Sequence, residues 1–177
     1  NVQFIVNGTP DSEPAAVFVF NIAEGGLCTG SLIAPRVVMT AKHCVQRPGQ
    51  SEPDLAQRFV VGTGSRAFGK SDSYRVQKVF TTPGVYSTDG PMGLSGALIG
   101  QDIGLLLLTE EMAGVTPLKI RRTEPSDQVG KTQVVIGFGQ TPQGETGTKY
   151  RTTTVVEQIF DKVMADDYVA FFYGQQP

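Results

Sequence analysis

Val38-Met39-Thr40-Ala41-Lys42-His43-Cys44 sets a histidine against a cysteine at the end of a short run of strand-forming residues. His43 is the only histidine in the 177 residues. Imidazole is the side chain that ordinarily titrates near neutrality, so histidine chemistry in this chain has one candidate. The competing reading is a structural histidine in a turn. The segments around it decide between the two.

Working outward, short runs rich in β-branched and aromatic residues recur along the chain. Residues 15–22, 27–33, 37–40, 58–61, 74–80, 103–108, 131–137, 150–159 and 168–173 read as strands. The 21 glycines and 11 prolines between them break helical periodicity and supply turns. Only 41–45 and 160–167 read as short helical turns. Residues 87–100 are glycine-rich and read as a loop, and 116–130, with Pro117 and Pro125, as a connector. This spacing predicts an all-β antiparallel barrel or sandwich.

Composition narrows the partners. A formal charge of −2 leaves no basic field to hold a phosphate backbone, so nucleic acid is not expected. The longest apolar runs, Leu105-Leu106-Leu107-Leu108 among them, fall far short of the roughly 20 residues that span a bilayer, so no membrane partner is expected. The first residues carry no signal-peptide pattern, and Asn1 reads as a processed or arbitrary start.

Cys28 and Cys44 admit two readings, a disulfide or two buried thiols. A disulfide closing that loop would contribute about 3 kcal/mol on the chain-entropy model and implies an oxidising compartment. With a single histidine and no CxxC pair, no metal site is expected. Val134-Val135-Ile136-Gly137-Phe138-Gly139 is a strand followed by GxG, but Pro142 stands where a dinucleotide fingerprint needs glycine. Gly62-Thr63-Gly64 lacks the lysine spacing of a phosphate loop and reads as a turn. No cofactor is expected. Asn7-Gly8-Thr9 fits a glycosylation sequon, weakened by Pro10.

Four segments carry a stronger signal in their order: Ile5-Val6-Asn7-Gly8, Cys28-Thr29-Gly30-Ser31-Leu32-Ile33 with the His43 stretch, Asp102-Ile103-Gly104-Leu105-Leu106, and Ile136-Gly137-Phe138-Gly139-Gln140-Thr141. Together they resemble the trypsin/chymotrypsin-like serine proteases, whose motifs are IVGG, CGGSLI with VLTAAHC, DIALL and GWGxT. The resemblance implies two antiparallel six-stranded β-barrels, the second incomplete in this chain. Residues 5–115 would form the first barrel, 116–130 the connector and 131–177 part of the second.

It also assigns roles. His43 would be the general base, then general acid, and Asp102 the carboxylate that orients it. Cys28 and Cys44 match the family's disulfide, and Ile5 the residue whose freed amine folds inward on activation. The resemblance implies a secreted endopeptidase acting on proteins or peptides, extracellular or periplasmic.

Four departures bear on that reading. The family's nucleophilic serine lies in GDSGGP, a string absent from these residues; Ser31 belongs to the disulfide motif, and Ser95 precedes Asp102 without the acidic neighbour. A companion polypeptide bearing that motif is expected to complete the protease, its source a cut just after Pro177. A segment missing from this sequence would read the same way, and a homologue that has lost its serine, acting as a binding protein, is the alternative. Residues 1–4 precede Ile5, as in a zymogen. Lys42 stands where the family has a small residue, setting a cation beside His43, and Phe138 where it usually has tryptophan.

Overall fold

The computed structural model describes residues 8–68, 72–86, 102–123, 125–141 and 143–157. Nine strands run through them: β1 (Thr9–Pro10), β2 (Ala16–Asn21), β3 (Gly26–Ala34), β4 (Val37–Thr40), β5 (Phe59–Gly62), β6 (Ser73–Thr81), β7 (Gly104–Leu108), β8 (Thr132–Gly137) and β9 (Tyr150–Val155). The only helical elements among the described residues are 3-10 turns at Lys42–Cys44, Ala56–Arg58 and Pro125–Gln128. The expected strand at 168–173, the turn at 160–167, the loop at 87–100 and Ile5 lie outside the described residues.

Six strands close into an antiparallel barrel in the order β2-β3-β4-β7-β6-β5, with β5 returning to pair with β2. Closure leaves no edge strand. Alternation is clearest in β7, where Gly104, Leu106 and Leu108 are buried and Leu105 and Leu107 half-buried. The core gathers Val17, Val19, Leu32, Val38, Phe59, Val61, Leu106 and Leu108, each almost without exposure. Burying one such leucine or valine contributes roughly 1.5–3 kcal/mol. Bulges at Leu32/Ala34 and Val76/Lys78 shift the register of β3 on β4 and of β6 on β7, the usual device for bending strands around a barrel.

β2 is buried on both faces, which explains its unbroken apolar run. Val17 and Val19 join the core, while Phe18 meets Phe138 edge-to-face across 5.8 Å. Gly62 belongs to β5 rather than to a turn: a Cβ there would lie 2.1 Å from the Phe18 ring.

Phe138 follows a second sheet, three strands in the order β1-β9-β8. β8 and β9 pair from Thr132↔Val155 to Gly137↔Tyr150, and β1 adds Thr9↔Arg151 and Pro10↔Tyr150. This sheet is open. Val134, Val135 and Val155 remain substantially exposed on it. The architecture is thus all-β, a closed six-stranded barrel with a partial second sheet, as the sequence predicts.

Candidate active site

Strand pairing brings the two chemically interesting side chains to one end of the barrel. β4 and β7 run antiparallel with Thr40 opposite Gly104. The chain leaving β4 and the chain entering β7 therefore emerge side by side, the first carrying His43 and the second Asp102. Ala41 is extended at φ −77°, ψ 146°, after which Lys42–Cys44 coil into a 3-10 turn. Gly104 allows β7 to approach this turn closely, since a Cβ there would stand 2.8 Å from Val45 Cγ2.

Asp102 grips His43 at two points. Oδ1 accepts the His43 backbone N–H at 2.9 Å, and Oδ2 lies 2.6 Å from Nδ1. An ionised carboxylate only accepts, so Nδ1 carries the proton and Nε2 is left as the basic nitrogen of the neutral ring. The imidazole is 47% exposed and the carboxylate 27%, so the pair sits at a surface with its anchor recessed.

The pKa shifts follow from this contact. The hydrogen bond to Asp102 raises the His43 pKa above 6.5; partial burial opposes it, and the Asp102 charge adds to the rise. For Asp102, burial is the largest single influence and pushes the carboxyl up. The His43 ring bond, its backbone N–H, its charge and the Lys42 N–H together outweigh burial and hold the carboxyl below its usual range. The His43 contribution to stability is present below the ordinary histidine pKa and fades as pH rises through the raised value. The Asp102 contribution is present above the ordinary carboxylate range and fades as pH falls through the lowered value.

Cys44 ends the 3-10 turn and is disulfide-bonded to Cys28 on β3, with Cα atoms 6.2 Å apart. The bridge ties the His43 turn to the neighbouring strand, the pairing the resemblance implies. Donor atoms of Cys28, His43 and Cys44 lie within 4.8 Å of one another, but both sulfurs are bonded to each other and offer no thiolate to a metal. Ser31 is held in the barrel ladder between Ala16 and Met39. Ser95 and Ile5 lie outside the described residues.

The second sheet is tied to this end of the barrel. Thr40 Oγ1 donates to the Thr29 carbonyl at 2.9 Å, and Thr29 Oγ1 accepts the Phe138 N–H at 3.0 Å. Buried Phe138 has Lys149 Nζ 5.3 Å from its ring centroid, and that ammonium donates to the Glu13 carbonyl at 2.6 Å. Burial pushes the Lys149 pKa down against the pull of Asp11 and Glu13.

Sequence reasoning passed over one neighbour of the pair and a residue that braces it. Tyr86 places its ring 6.4 Å from the imidazole, tilted by 35°. Gln46, 2% exposed, bonds into the segment that carries Tyr86. A tyrosine ahead of Asp102 and a glutamine just past the His43 turn were the available signals, and neither is distinctive in isolation.

No helix among the described residues is long and apolar enough to cross a membrane. Barrel, disulfide and carboxylate-held imidazole agree with what a comparison with family models finds, a match to the Trypsin family across residues 5–170. The chain belongs to the trypsin family.

Proposed function

We propose that this chain is the histidine- and aspartate-bearing part of a serine endopeptidase of the trypsin-like class. The observation that carries the reading is the two-point grip of Asp102 on His43, which leaves Nε2 free to accept a proton. In such an enzyme Nε2 takes the proton of a serine hydroxyl as its oxygen attacks the peptide carbonyl. The imidazolium then returns that proton to the departing amine, and water hydrolyses the acyl-enzyme by the same route. Asp102 keeps the ring in the reactive tautomer and stabilises the imidazolium. The disulfide Cys28–Cys44 holds the turn that aims it.

The serine and the backbone oxyanion donors come from polypeptide outside these residues, carrying a GDSGGP-type motif. The exposed valines of β8 and β9 support this, because an open sheet with apolar residues in water favours a covering segment. Proteins or peptides are the substrates. The disulfide supports an extracellular or periplasmic location. Ile5 is the residue freed on activation, so retention of residues 1–4 describes a zymogen form.

The alternative reading is a binding protein on the same fold, one that keeps the His43–Asp102 pair and lacks the nucleophile. Treatment of the protein from its natural source with an organophosphorus serine reagent separates the two. The protease reading expects stoichiometric labelling of a serine in a GDSGGP-type peptide, abolished by His43→Ala. A protein that takes no label and contains no such peptide is the binding protein.

A further inference from the structure

Lys42 is 2% exposed although it carries a cation and stands directly before His43. Its Nζ donates to three carbonyl oxygens of one turn: Thr82 at 2.8 Å, Pro83 at 3.3 Å and Gly84 at 2.7 Å. An ammonium has three donors and no acceptor, so this turn fills it. A buried cation is tolerated only where such partners replace its hydration.

The same turn is held again from the segment that follows His43. Gln46 Nε2 donates to the Gln50 carbonyl at 2.6 Å and the Gly84 carbonyl at 3.3 Å, and Gln46 Oε1 accepts from Thr81 Oγ1 at 2.9 Å. The Gly49 N–H donates to the Tyr86 carbonyl at 2.6 Å, and the Tyr86 N–H to the Gln50 carbonyl at 3.1 Å. Everything strapped down between Thr81 and Tyr86 leads to one ring, the phenol beside His43. Burial raises the Tyr86 pKa first and the Asp102 charge adds to it, as expected of a hydroxyl within the field of the pair.

We propose that Lys42 is a positioning residue, whose ammonium organises the Thr82–Pro83–Gly84 turn so that Tyr86 stands against His43 and covers one side of the His43–Asp102 pair. A small residue at this position has no atom that reaches the turn. The device therefore belongs to this chain's departure from the family motif rather than to the motif. Its kinetic consequence rests on the protease reading; its structural content does not.

The single histidine makes the test direct, because its Cε1–H gives one NMR resonance. Tyr86→Ala removes the ring and displaces that resonance. Lys42→Met, which keeps length and loses the donors, is expected to displace it in the same direction by most of that amount. The double variant is expected to add little more. In the completed protease, Lys42→Met and Tyr86→Ala are expected to lower kcat/KM by a similar factor, roughly tenfold to a hundredfold for a misplaced ring.

A Lys42→Met protein that melts earlier but keeps the wild-type His43 resonance overturns the proposal, since Lys42 would then only fill the interior. Should Lys42→Met fail to fold, Lys42→Arg decides: its planar fork cannot seat in the same three-carbonyl turn, so the resonance is expected to move, and an unmoved one overturns the proposal. Loss of the protease reading is registered separately, by the serine reagent, and leaves the resonance comparison intact.

Discussion

The closed barrel and the open three-stranded sheet are built from the same kinds of residue and meet different fates. Val61 in the barrel is fully buried, whereas Val134 in β8 is 50% exposed. Both sit in strands paired by ordinary antiparallel ladders. Strand propensity makes the ladder; a facing surface makes the burial. The barrel supplies its own facing surface by closing, whereas the sheet meets the barrel around Phe138, which packs on Phe18 of β2, and leaves Val134, Val135 and Val155 exposed. His43 and Asp102 both hang from the closed unit, so their geometry does not depend on whatever covers the sheet.

The largest expected effect tests that independence. Asp102→Asn leaves a side chain of the same shape but presents the wrong partner to Nδ1, and kcat of the completed protease should fall about 10⁴-fold. Urea denaturation of the same variant should show the barrel still folding cooperatively. If the barrel collapses with the activity, the site is not separable from the core and the comparison fails.

Next comes the core itself. Leu106→Ala, at a fully buried position, should cost about 2–5 kcal/mol in denaturant unfolding, because a cavity replaces contacts on every side. Reduction of Cys28–Cys44 should cost about 3 kcal/mol on the chain-entropy model, read as a shift in urea midpoint with and without a dithiol reductant. The smallest effect belongs to the sheet: in these 177 residues without a covering segment, Val135→Ala, 44% exposed, should change stability by less than about 0.5 kcal/mol. A Val135→Ala cost as large as that of Leu106→Ala would mean the two regions are not different in kind.

Most of the barrel was legible from local pattern. The segment 37–40 coincides with β4, and 15–22, 27–33, 58–61, 74–80 and 103–108 each fall within a residue or two of their strands. Alternation and β-branching carry that information because one face of each strand had to be buried. β1 was not legible: Thr9–Pro10 is too short to show a period, proline is a poor strand former, and its partners Tyr150 and Arg151 on β9 lie far along the chain. The 3-10 turns at Ala56–Arg58 and Pro125–Gln128 are likewise too short for any periodicity.

At the site, the meeting of His43 and Asp102 was anticipated through the family motif. What local sequence could not convey was the destination of Lys42, whose carbonyl partners lie some 40 positions away and carry no side-chain signature. Thr29 was similarly silent, because its hydroxyl's partner is the backbone of Phe138, just past the end of β8. Pairing through main-chain atoms leaves no trace in residue identity.

The most direct measurement is an NMR pH titration of the lone imidazole in the wild-type chain and in Asp102→Asn. Contact with a recessed carboxylate predicts a midpoint above 6.5 that drops when the charge is removed. A midpoint at or below 6.5, unmoved by the substitution, would show that the two side chains are not joined in solution and would remove the basis for assigning proton transfer to this protein.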